Sequence, residues 1–161
     1  MPPREKAFDE LDYRIIWELH ANARASASDI ARKTKANDRT IRKRIERLVS
    51  DGAIRLTAIL DPLAFGYVTA ADIFLEADAG LEAAILDHLM SMPQVTYIAL
   101  GQETKEISIE ARFKDNEALR DFLGRTLPGI PGVTVSRYTL VPRILRNIDE
   151  WMPKKDDLNI A

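Results

Sequence analysis

The chain has 161 residues, 23 Lys+Arg against 25 Asp+Glu, a formal net charge of −2 and 46% hydrophobic residues. That apolar share excludes a disordered chain, and at roughly 100–200 residues per domain the length fits one ordinary domain or two small ones. The absence of cysteine excludes a disulfide scaffold, a Cys-ligated zinc site and a thiol nucleophile.

No apolar run approaches the ~18 residues of a membrane span. The opening MPPREKAFDELD lacks the apolar core of a signal peptide. The expectation is a soluble cytoplasmic protein with no membrane partner. Charge is unevenly spread: residues 1–60 hold 13 Lys+Arg and 9 Asp+Glu, residues 61–161 hold 10 and 16. A basic front and an acidic back suggest that the front meets a polyanion.

Residues 9–20 place Leu11, Ile15 and Leu19 on one helical stripe, with Asp9 as cap. Ser26 followed by Asp29 has the spacing of a capping box and opens a second helix burying Ile30 and Ala31. After the turn at residues 35–37, Asn37 is an N-cap and Ile41, Ile45 and Leu48 form the core stripe of a third helix over residues 38–50. Gly52 ends that helix, and residues 54–60 read as a strand. At about 100° per residue, Arg39, Lys43 and Glu46 lie opposite the core stripe, flanked by Arg42 and Arg47. A short helix, a tight turn and a second helix with a basic outer face make a helix-turn-helix, whose second helix enters the major groove. The alternative is a three-helix packing module with a solvated basic surface.

The rest of the chain alternates differently. Strands are expected over residues 67–77, 95–100, 107–113 and 133–141, and helices over residues 81–92 and 116–127. The order βαββαβ is a ferredoxin-like sandwich, one sheet with two helices on one face. The apolar share of the other face suggests that a second copy covers it, giving a homodimer. Residues 61–66 read as a short linker. The ending RILRNIDEWM, with Ile144, Ile148 and Trp151, reads as a short helix or an extension packing on a neighbour.

The segments FDELDYRIIWELHANARASASDIA, TIRKRIERLVSDGAIRLTAILDPLAFGY, PQVTYIALG, DNEALRDFL and IPGVTVSRYTLV resemble, in order and spacing, the Lrp/AsnC (leucine-responsive, feast/famine) family of transcription regulators. The resemblance covers about residues 8–141. It implies an α+β chain in four parts. Residues 1–60 form a winged-type helix-turn-helix, and 61–66 the linker. Residues 67–141 form a ferredoxin-like effector and oligomerisation domain, often called RAM, and 142–161 a C-terminal extension. It implies double-stranded DNA as partner, homodimers and commonly octamers, and in many members a free amino acid bound between effector domains. It implies no cofactor.

On that resemblance the DNA-binding candidates are Asn37, Arg39, Thr40, Arg42, Lys43, Arg44 and Arg47, with Arg39, Thr40, Arg42 and Lys43 near base edges and phosphates and Arg44 and Arg47 on the backbone. Arg44 alternatively makes a structural ion pair. Lys35 stands where the family often has glycine in the turn, which costs a left-handed lysine about 1 kcal/mol. The candidate effector loop is Gly101, Gln102, Glu103 and Thr104, with Glu103 as acceptor for an ammonium and the backbone at Gly101 as donor to a carboxylate. An effector-independent architectural DNA-binding protein is the alternative. A sirohaem-decarboxylase-like enzyme is a third reading. Against it, ALGQETKEIS carries no His or Arg, and His20 and His88 have no partner at metal-ligand spacing.

Overall fold

The computed structural model describes residues 8–102, 104 and 106–157. Helix α1 (Glu10–Ala21) starts at a reciprocal cap. The Asp9 carboxylate accepts from Asp12 N–H at 2.9 Å, and the Asp12 carboxylate accepts from Asp9 N–H at 3.2 Å. Ser26 caps α2 (Ala27–Thr34), its hydroxyl accepting from Asp29 N–H at 3.1 Å and donating to the Asp29 carboxylate at 2.6 Å. The box expected at Ser26 is therefore one-sided, and the two-sided one forms at Asp9. Lys35 ends α2 in the left-handed region, φ 58° and ψ 31°. Asn37 then caps α3 (Asp38–Ser50) by accepting from Arg39 N–H at 2.8 Å, and Gly52 follows it at φ 68°.

Ile15, Leu19, Ile30, Ala31, Ile41 and Leu48 make the core of this helical unit, with Leu11, Ile16 and Ile45 packed against it. The strand expected over residues 54–60 is not formed. The segment runs on after Ala53 and Ile54 N–H donate to Leu48 O, but it has no partner strand among the described residues. Its β-prone side chains supply local preference, and a strand also needs a neighbour's backbone.

A 3₁₀ turn at Pro62–Phe65 follows, then β1 (Thr69–Ala77), α4 (Glu82–Met90), β2 (Val95–Leu100), β3 (Glu106–Phe113), α5 (Asn116–Asp121) and β4 (Val133–Leu140). The four strands pair antiparallel in the order β2-β3-β1-β4. This is the expected ferredoxin-like arrangement. Helix α5 is shorter than the sequence suggests, because it widens into a π turn over Phe122–Thr126. Leu127 N–H reaches Phe122 O at 2.9 Å, and the wider turn lets both side chains enter the core. Alternation along β1 and β3 buries Ala71, Ile73, Leu75, Ile107, Ile109 and Ala111 beneath the helices.

The opposite sheet face corrects the expectation of an apolar surface. Besides Phe74 and Tyr97 it carries Asp72, Glu76, Glu106, Ser108, Glu110 and Arg112. Asp72 stands opposite Glu110 and Glu76 opposite Glu106, unfavourable like-charge pairs. Arg112 offsets one by pairing with Glu110 at 2.5 Å. The chain divides into two compact units: one runs up to Ile59 and takes in the stretch from Arg146, the other is Leu60–Leu145.

Candidate nucleic-acid interface

The basic side chains of α3 fall into three groups with different partners. Arg44 and Arg47 turn toward α1. Asp12, 1% exposed, accepts from Arg44 Nη1 at 3.0 Å and from Arg47 Nη2, while Asp9 accepts from Arg44 Nη1 as well. Asp12 lies three residues before Ile15, on the buried stripe of α1, where an unpaired carboxylate would be costly. The two guanidinium groups neutralise it and lock α3 against α1. Arg44, its N–H groups bonded to Asp9, holds that carboxyl below its ordinary range against the opposing effect of burial.

Arg42 forms the second group, with Nε donating to Asp38 Oδ2 at 2.7 Å one turn earlier. Asp38 Oδ1 accepts from Ser28 Oγ of α2 at 2.7 Å. Arg39 and Lys43 form the third group. Both are exposed, and neither side chain has an ion-pair partner among the described residues. Thr40 is exposed between them, and Asn37 spends its side-chain oxygen on the cap.

A further basic residue, Arg14, serves the scaffold. It donates to Lys33 O at 2.7 Å and Thr34 O at 3.4 Å, satisfying the last carbonyls of α2. Sequence reasoning missed Asp12, Ser28 and Asp38. A signal existed for two of them: an acid on an apolar stripe, and an acid four residues before an arginine.

In the second unit, Gly101 N–H donates to Glu106 O at 2.9 Å, so that donor is already spent and is not available to a ligand carboxylate as expected. Space at Gly101 is tight: a Cβ there would meet Thr104 Oγ1 at 2.2 Å and Glu106 O at 3.2 Å, so the Thr104 side chain would have to turn away. A shallow cavity of ≈ 550 Å³ is lined by Glu76, Asp78, Thr104, Glu106 and Thr134, with Ala77 and Ala79. Among the described residues, Thr104 is the candidate effector residue that lines it. Gly101 and Gln102 stand outside it, and Glu103 lies outside the described residues.

A family model described as winged helix-turn-helix DNA-binding matches residues 8–55. The HTH-type transcriptional regulator FL11 of Pyrococcus abyssi is 32% identical over 136 residues, which cover 84% of this chain and 89% of that protein. E. coli AsnC has the same fold at a TM-score of 0.80 and 24% identity, over 89% of this chain and 99% of that one. The chain belongs to the Lrp/AsnC family. It is a DNA-binding transcriptional regulator, with a helix-turn-helix and a ferredoxin-like RAM domain. Another structure of this fold is a Neisseria meningitidis regulator solved as an L-Met complex. Its TM-score is 0.84 at 19% identity, over 94% of this chain and 100% of that one. Among the described residues, no helix of this Lrp/AsnC regulator is long and apolar enough to cross a membrane.

Proposed function

We propose that this Lrp/AsnC protein acts in the cytoplasm as a homodimer, which assembles further toward octamers and sets two α3 helices into major grooves on one face of DNA. The observation that carries this reading is the division of labour on α3. Arg39 and Lys43 are exposed and have no ion-pair partner among the described residues, while Arg44 and Arg47 are drawn inward by Asp9 and Asp12. Arg39, Thr40, Arg42 and Lys43 then meet bases and phosphates, and Arg44 and Arg47 keep the helix at the right angle. Half-sites separated by about 34–36 Å, one helical turn, or a multiple of it, suit such a dimer. Residues 1–60 serve as the DNA-binding part, 61–66 as linker and 67–141 as the effector and oligomerisation part, with 142–161 as an extension. The role is regulatory and not enzymatic.

Dimerisation rests on residues 54–60. The segment is β-prone, its backbone has no strand partner among the described residues, and Leu56, Ile59 and Leu60 are exposed. An unpaired edge of this kind is a template for a second copy. An amino acid or similar metabolite is the proposed effector, its ammonium drawn to the carboxylates of Glu76, Asp78 and Glu106. Among the described residues the lining offers carboxylates and hydroxyls but no cationic side chain. The second reading is an effector-independent architectural protein.

A thermal-shift screen of the full chain against the twenty amino acids, with assembly size measured in parallel, separates the two. A ligand at 100 times its dissociation constant adds about 2.7 kcal/mol to the native state, so a selective shift is the result expected for an effector. No shift with any of them selects the architectural reading.

A further inference from the structure

Asp38 is the first residue of α3, the end of a reading helix that approaches base edges. An acid is unhelpful there if the helix only seeks phosphates, because it repels them. Yet its carboxylate is held from both sides: Oδ1 by Ser28 Oγ of α2 and Oδ2 by Arg42 Nε, each at 2.7 Å. The Asp38–Arg42 spacing alone is an ordinary i,i+4 helix pair. The hydroxyl from a second helix is not part of such a pair, and it fixes the carboxylate that in turn fixes the guanidinium.

The nitrogen used matters. Arg42 is held through Nε, neither terminal Nη group has a hydrogen-bond partner among the described residues, and its side chain is 61% exposed. Arg44 and Arg47 spend terminal nitrogens on Asp9 and Asp12. A guanidinium with both Nη groups free presents the fork that matches O6 and N7 of guanine in the major groove. Restricting it beforehand lowers the ordering cost of binding.

We propose that Ser28, Asp38 and Arg42 form a relay that presets Arg42 to read one guanine in each DNA half-site, with Asp38 as the positioning residue. This rests on the reading of α3 as the major-groove helix. The hydrogen bonds from Arg42 and Ser28 hold the Asp38 carboxyl below its ordinary range, so it stays ionised at neutral pH. Keeping this charge sacrifices some general affinity for DNA in return for discrimination at one base pair.

The test is selection from a random duplex library by the full-length protein and by its Arg42→Ala, Asp38→Asn and Ser28→Ala variants, with melting temperatures read alongside. All three side chains are on the surface, so the variants should fold. The wild type is expected to enrich a half-site containing a fixed guanine. Arg42→Ala should flatten the preference at that position alone, and Asp38→Asn should reduce it there by about tenfold, within the range of one bidentate base contact. Asp38→Asn should leave affinity for unrelated duplex equal or higher, which a merely structural role would not produce. Ser28→Ala should cause a smaller loss at the same position.

Arg42→Ala weakening all sequences alike, with the slope of log K against log[salt] shallower by about 0.9, would make Arg42 a phosphate contact and overturn the relay. A wild-type preference surviving Asp38→Asn would also overturn it. A wild type that enriches no sequence overturns the major-groove reading itself, an outcome distinct from the other two.

Discussion

Asp12 carries more of the DNA-binding unit than its size suggests. It is the buried carboxylate on which Arg44 and Arg47 converge. Breaking a buried pair typically costs about 3–5 kcal/mol, and both arginines here can turn partly to water, so about 2–3 kcal/mol is expected. Asp12→Ala should lower the urea midpoint accordingly, and a loss below about 0.5 kcal/mol would assign the network to the solvated surface. Lys35 offers the opposite change. Its left-handed backbone costs a side-chain-bearing residue about 1–2 kcal/mol, part of which glycine recovers despite its freer unfolded chain. Lys35→Gly is expected to stabilise by about 1 kcal/mol and to leave DNA affinity unchanged. Unchanged or lower stability would refute the strain. Asp9, with its pKa depressed mainly by the hydrogen bond from Arg44, contributes stability above its unfolded pKa of about 4 and loses it as pH falls through the folded value. Below pH ~4 the melting temperature of the wild type should therefore fall more steeply than that of Asp9→Asn. Parallel curves would remove Asp9 from the network.

At the scale of elements, the sequence made local structure legible wherever a local rule decides it. Asp9, Ser26 and Asn37 cap the helices assigned to them, because a cap is a contact between residues two or three apart. The β1 and β3 alternation was visible for the same reason. Residues 54–60 were not legible as they stand, since their β preference says nothing about where a partner backbone lies. The π turn after α5 was hidden too, because Leu119, Phe122 and Leu123 by themselves fit a regular helical stripe. If residues 54–60 pair with a second copy, Thr57→Pro removes an N–H from that pairing. A net loss of about 1.4 kcal/mol corresponds to a tenfold higher dimer dissociation constant. Sedimentation velocity at falling concentration reads it, and an unchanged constant would place the interface elsewhere.

Across the whole molecule, a net charge of −2 conceals a basic front of residues 1–60 and an acidic remainder. The basic share was readable from composition, and the outward placement of Arg39 and Lys43 from helical spacing, but the acids that Arg44 and Arg47 pair with were not. Of the α3 cations, Arg44 and Arg47 pair with buried acid, Arg42 pairs with Asp38, and Arg39 and Lys43 have no ion-pair partner among the described residues, which is why the proposal gives them to DNA. Counting positive charges alone would overstate the number of phosphate contacts. The most direct measurement is the salt dependence of duplex affinity for the wild type, Arg39→Ala/Lys43→Ala, and Arg47→Ala. Each phosphate contact contributes about 0.9 to the slope of log K against log[salt]. The double variant should lose affinity and about 1–2 units of slope with its assembly size intact, while Arg47→Ala loses stability and keeps the slope. A double variant that keeps both affinity and slope would contradict the assignment of α3 as the DNA-contacting helix.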